Sequence, residues 1–268
     1  EQYDVRFNAS LGELQSLWTL LYTEIGRTNT AITRADGITT MAAALKDARV
    51  SEAKFLRALC YFYLVQHWGD VPMPLTEIVS PTKEATRVPS ADVYKQIVTD
   101  LTDASKALPV KAALKGRATQ GAALSLLGKV YLTQKNYAAA STTLKQVTSL
   151  GYALNANYKD NFDPAKKNGI ESIFEVQYQG GNDLGEQSNF MYVFAPRLSA
   201  GAVTGFANTT PSGRNIPTRD MINAYEAGDV RKAISLQPGY TLNGNFVAIP
   251  FVSKYQYPHT ITGRTDNN

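Results

Sequence analysis

Apolar residues recur at three- and four-residue steps through roughly the first 150 positions, the spacing that lines up one face of an α-helix. From Ser10 to about Ala35 the stripe is Leu11, Leu14, Leu17, Trp18, Leu21, Tyr22 and Ile25. Ala35-Asp36-Gly37 breaks it, and Thr39 to Asp47 predicts a second, short helix. The stretch VSEAKFLRALCYFYLVQHWGDVPMPL, Val50 to Leu75, predicts the central helix. Ser51 is its expected N-cap. Phe55, Leu56, Leu59, Cys60, Tyr63, Leu64 and His67 form its face, and Phe62 and Val65 widen that face so far that burial on most sides is expected. Gly69 ends it, and Pro72 and Pro74 force an extended exit. Behind Ser90, Val93, Ile97, Leu101, Ala104 and Leu108 predict a helix over 91–108, stopped by Pro109.

Two further helices are expected over 119–132 and 137–150, the second closed by Gly151. Leu124-x2-Leu127-Gly128-x2-Tyr131 and Ala140-x3-Leu144 follow the tetratricopeptide pattern, in which small residues let two antiparallel helices cross closely. The central helix and helix 91–108 read as a looser second copy. After Asn155 the helical period stops and Gly, Asn and Pro rise. Ile173 to Tyr178 is a β-branched and aromatic run that predicts a strand. Gly180 to Ile216 is a long connection. Thr218 caps a short helix reaching about Ala227, and Asn243-Gly244 between Tyr240-Leu242 and Phe246-Ile249 predicts a hairpin. The expected architecture is mainly α: a tetratricopeptide-like helical-pair scaffold, residues 1–151, carrying a loop-rich mixed α/β subdomain, residues 152–268.

Several of these stretches carry a resemblance. Glu52-Ala53, Phe55-Leu56-Arg57-Ala58, Tyr61-Phe62-Tyr63-Leu64 and Gly69-Asp70-Val71-Pro72 form a long motif that resembles the SusD/RagB family. Trp18, Leu21, Tyr22, Ile25 and Asn29 resemble its first helix. Tyr158 to Phe162 with Ile173 to Tyr178, and Pro217-Thr218 through Arg231, are similar to later family segments. The resemblance runs from about Leu11 to Tyr257. It implies a non-catalytic nutrient-binding lipoprotein on the extracellular face of the outer membrane, binding oligosaccharide or polysaccharide for carbohydrate uptake. It also implies a SusC-like TonB-dependent transporter as partner and a lipid anchor on a Cys not present in this chain. The RagB branch implies peptide as the alternative ligand. A family segment opening RYADVLL is absent after Lys254-Tyr255, so a piece of a longer protein is expected, with Leu59, Tyr63 and Tyr131 left accessible.

Composition narrows the chemistry. The chain has 268 residues, 44% hydrophobic and 19% charged, with net charge +4. The charges are spread without a block of five like charges, which does not support nucleic-acid binding. No apolar run approaches the ~20 residues of a membrane span. With 2 His and 1 Cys, a thiol triad or a His-rich metal site is not expected, and neither is a cofactor. HExxH, GxSxG and GxGxxG do not occur. Gly121 to Lys129 has the wrong spacing for a phosphate loop and lies inside a predicted helix. Cys60 reads as a buried structural thiol, His67 as a hydrogen-bonded core or capping residue, and the Trp18–Tyr22 pair as core. A solvated helix face accounts for Glu84, Asp100 and Asp103. A glycosidase carboxylate pair is set by distance in space and so is not readable by counting.

Sugar binding needs aromatic faces for stacking with amide, guanidinium or carboxylate groups for the hydroxyl edges. The candidate ligand residues are Tyr192, Phe194, Phe206, Asn208 and Arg214 on the long connection, with Phe7 and Asn8 before the first helix. Each aromatic has a second reading, as an anchor holding the loop to the core. The rival functions are peptide capture, an intracellular helical-repeat adaptor that binds a protein, and a glycoside hydrolase.

Overall fold

The computed structural model describes residues 11–80, 85–178, 188–205 and 210–256. The chain is mainly helical and divides between Tyr152 and Ala153 into two compact units. In the first, α1 (Gly12–Arg34), α2 (Ala43–Trp68), α3 (Ser90–Ala107), α4 (Gln120–Thr133) and α5 (Tyr137–Thr148) follow one another, each packed on the next. β1 (Val71–Pro72) and β2 (Arg87–Val88) form a short antiparallel pair between α2 and α3.

α2 departs from expectation in its start and its buried face. It begins at Ala43, so the predicted short helix is its first turns, and Ser51 is a buried interior residue rather than a cap. Ala48-Arg49-Val50 contains no breaker, and extending a formed helix costs less than nucleating a new one. The buried side comprises Phe55, Arg57, Ala58, Cys60, Tyr61, Phe62, Leu64 and Val65. Leu59 is half-buried, as is Tyr131 on α4, and Tyr63 is 44% exposed. His67 is exposed in the last turn, its Nδ1 2.8 Å from the Tyr63 carbonyl, so it bonds to the helix and not within the core.

Asp100 overturns the solvated-face reading. It is 1% exposed and accepts from Arg57 Nε and Nη2, both at 2.8 Å. Arg57 Nη1 also donates to Asn29 Oδ1 and to the Leu75 carbonyl, each at 2.9 Å. Asn29 Nδ2 and the Tyr61 hydroxyl donate to the Pro74 carbonyl at 2.9 and 2.7 Å, and the Tyr22 hydroxyl to that of Pro72 at 2.6 Å. One buried ion pair thus gathers α1, α2, α3 and the proline-rich exit of α2. Prolines cannot donate, so that exit holds on by its carbonyls. Asp103 is half-buried and accepts from Lys54 Nζ at 2.7 Å; Glu84 lies outside the described residues. Burial pushes the Cys60 thiol up to about 12.

The α4–α5 pair follows the tetratricopeptide spacing. A side chain at Gly128 would run into Leu144, and Ala140 is 3% exposed. Thr119 and Asn136 cap the two helices, accepting from Ala122 N and Ala139 N.

The second unit is made of short pieces. Two 3-10 turns, Tyr158–Phe162 and Pro164–Lys166, precede α6 (Phe190–Phe194), α7 (Gly201–Thr204), α8 (Arg219–Asn223) and α9 (Val230–Ser235). β3 (Leu236–Gln237) pairs antiparallel with β6 (Phe251–Val252), and β4 (Tyr240–Leu242) with β5 (Asn245–Val247). The expected hairpin forms, with Asn243 (φ 49°) and Gly244 (φ 79°) both left-handed in its turn. Thr218 caps α8 as expected, accepting from Met221 N. The strand expected over 173–178 does not form: the segment pairs with no other described strand. Side chains take up its main-chain carbonyls instead, Lys167 Nζ at that of Tyr178 (2.6 Å) and Gln177 Nε2 at that of Glu175 (3.1 Å).

Candidate functional site

Past Tyr152 the chain is folded by side chains bonding to nearby main chain, which Asn and Asp do readily in turns. Asp163 caps the second 3-10 turn, accepting from Ala165 N at 3.0 Å. Asn168 takes a left-handed conformation (φ 58°), and its amide pairs with that of Gln177 at 2.9 and 3.0 Å. Its main-chain N–H donates to Glu175 Oε2 at 3.2 Å. Asn155 N donates to Glu171 Oε2 at 2.9 Å, while Asn155 Nδ2 donates to Asn161 Oδ1 at 2.7 Å. Lys166 Nζ is held by Asp160 Oδ1 at 2.7 Å, which raises the ammonium pKa through that bond.

The same segment lines an open cavity of about 310 Å³, with Asn155, Asn161, Glu171 and Ser172 offering polar groups and Ile173 and Phe174 apolar ones. Three carboxylates line it, Asp160, Glu171 and Glu175, against the ammonium groups of Lys166 and Lys167. Asn161, Lys167 and Glu175 also border a neighbouring depression that Phe162 and Tyr255 line too.

Beyond that depression lies an aromatic cluster. Phe194 stacks on Tyr255 with ring centroids 5.2 Å apart and planes 23° apart. Phe190 approaches Tyr255 at 5.1 Å and Phe194 at 6.0 Å, and Phe162 approaches Tyr255 at 5.9 Å. Lys254 Nζ sits 5.1 Å from the centroids of both Phe162 and Tyr255, a cation over two ring faces.

Of the seven residues singled out from sequence, three lie among the described residues. Phe194 is half-buried in the aromatic cluster, stacked on Tyr255. Tyr192 is half-buried on α6, its carbonyl accepting from Ser212 N at 2.8 Å. Arg214 is exposed, its main-chain N–H bonded to the Val193 carbonyl at 2.9 Å and its guanidinium without a hydrogen bond to another described residue. Tyr192 and Arg214 therefore belong to adjoining segments, clipped together by main chain. Phe7, Asn8, Phe206 and Asn208 lie outside the described residues. The cavity residues were missed. Their signal was a run of amides, acids and aromatics over 155–175, a composition that reads equally as turn. Among the described residues no group of His, Cys, Asp and Glu is placed to hold a metal ion, and no helix is long and apolar enough to cross a membrane.

Packed tetratricopeptide-like helix pairs followed by a turn-rich unit define the fold class of SusD-like proteins. A SusD-like family model, described as starch-binding associating with outer membrane, matches residues 2–132. A SusD superfamily structure from Parabacteroides distasonis superposes with a TM-score of 0.83 at 26% identity, over 94% of this chain and 58% of that one. The structure of a laminarin-binding SusD-like protein gives 0.78 at 26%, over 94% and 62%. A SusD-like protein of Bacteroides ovatus is 28% identical over 81% of this chain and 41% of its own. SusD-like protein P25 of Formosa agariphila is 25% identical over 88% and 51%. The chain is thus similar to SusD-like proteins along most of its length. It spans about half the length of the curated relatives it matches.

Proposed function

We propose that the chain belongs to a non-catalytic glycan-binding protein of the outer-membrane surface, facing outward, that captures oligosaccharide and hands it to a TonB-dependent transporter. The observation that carries this reading is the polar cavity beside an aromatic cluster in the second unit. Stacking faces and mixed donors and acceptors are what a pyranose ring and its hydroxyls require. The likeness to SusD-like proteins supports the same reading, as does the laminarin-binding relative at 26% identity.

Calorimetric titration of the full chain with laminari-oligosaccharides, malto-oligosaccharides and peptides tests it. A glycan is expected to bind; binding of peptide alone would favour the RagB-like reading instead. Tyr192→Ala is expected to weaken glycan affinity by about 1–3 kcal/mol, the scale for removing an aromatic anchor from a binding surface. A lowered melting temperature with unchanged affinity would make Tyr192 a loop anchor. The transporter arm is tested by co-purification of the native protein from outer membranes.

A further inference from the structure

We propose that the cavity over 155–175 is a sugar subsite selecting neutral over anionic glycans, with Glu171 and Asn161 as its hydroxyl-binding residues. This rests on the glycan-binding reading above and deepens it.

Three observations carry the inference. First, the cavity presents unspent polar groups of both senses. One Glu171 oxygen is taken by Asn155 N, and the other makes no bond to a described residue. Asn161 spends its Oδ1 on Asn155, and among the described residues both its N–H groups and the Ser172 hydroxyl are unbonded. A carboxylate only accepts and an amide NH₂ only donates. A sugar hydroxyl, which does both, can give its proton to Glu171 while accepting from Asn161. Second, Phe174 and Ile173 add an apolar wall that a pyranose C–H face can cover.

Third, the charges are arranged against an anion. The Lys166 ammonium is matched by Asp160, and Lys167 donates to the Tyr178 carbonyl. Three carboxylates thus face two ammonium groups, a net negative lining, and one carboxylate oxygen of Glu171 is unbonded among the described residues. A uronate or sulfated sugar would bring its charge against Glu171, Glu175 and Asp160, which outnumber the two ammonium groups of the lining, and an excess of like charge repels. At about 310 Å³ the cavity is at the lower end of the ~300–1,000 Å³ range of small-molecule sites, so it takes a segment of a chain and not a whole oligosaccharide.

Two near-isosteric substitutions isolate the subsite. Glu171→Gln keeps an oxygen for Asn155 N but removes the charge. Asn161→Asp keeps the oxygen for Asn155 Nδ2 but removes the donors. Each is titrated in the full chain against laminarihexaose, maltohexaose and a galacturonate hexamer, with a thermal melt to verify folding. The wild type is expected to bind a neutral hexamer with an affinity that barely changes with salt, and the galacturonate at least tenfold more weakly. Glu171→Gln is expected to weaken the neutral ligand about tenfold, the scale of a lost hydrogen bond to a charged group, and to narrow the gap to galacturonate. Asn161→Asp is expected to weaken the neutral ligand similarly and to widen the gap. Neutral binding untouched by both folded variants would overturn the subsite while leaving the glycan-binding reading intact. Galacturonate binding as tight as neutral binding would overturn the charge selection. Absence of binding by every glycan would overturn the functional reading and this inference with it.

Discussion

Asp100 shows how much a single side chain can hold. It lies three residues after Ile97 on the apolar stripe of α3, and Arg57 lies on the buried side of α2. A bidentate guanidinium–carboxylate pair in that setting is costly to half-remove, because the remaining charge is left buried and unpaired. Asp100→Ala is therefore expected to cost about 3–5 kcal/mol in urea denaturation, and joint replacement by Arg57→Met and Asp100→Leu much less. Equal losses for the single and joint variants would show that the surrounding carbonyl bonds, not the charge pairing, dominate. Burial also raises the phenol pKa values of Tyr22 and Tyr61, whose hydroxyls each hold a proline carbonyl.

At the scale of elements, a second ion cluster joins α2 to the connection before α4. Glu52 accepts from Arg49 Nη1 at 3.0 Å and from Arg117 Nε at 2.7 Å. Partial burial raises its pKa, but the bonds from Arg117 and Arg49 outweigh that and hold it below the ordinary 4.5. A depressed folded-state pKa means stability that is present above the unfolded value and is lost as pH falls through the folded one. Glu52→Gln is accordingly expected to flatten the decline in urea midpoint from about pH 6 to about pH 3, and to leave little trace of that loss below both pKa values. A parallel decline in variant and wild type would assign the acid sensitivity to other carboxylates. Arg117 and Glu52 are far apart in sequence, so no local pattern announces the pair.

For the molecule as a whole, the rival to capture is hydrolysis, since carboxylates do line the cavity. Asp160 is tied to Lys166 and Glu175 accepts from the Asn168 main chain, while Glu171 keeps one oxygen unbonded among the described residues. Prolonged incubation of the full chain with laminari- and malto-oligosaccharides is expected to yield no shorter products by chromatography. Cleavage abolished by one Asp or Glu substitution would refute the non-catalytic reading. The likeness to SusD-like proteins rests on the long α2 motif and on structural relatives covering 94% of the chain.

The helices of the first unit could be read from sequence because each has a period, and a period is a local property. The turns at Thr218 and Asn243-Gly244 were equally plain, since capping and left-handed backbone depend on one or two residues. Tertiary structure decided the rest. α2 is apolar around most of its circumference, so its neighbours, not its pattern, chose which side is buried and left Tyr63 out. Ile173 to Tyr178 has strand composition but no partner strand among the described residues, and pairing is a property of two segments. The cavity exists because Asn155, Asn161 and Glu171 bond to one another across a turn, a closure that their order along the chain does not reveal.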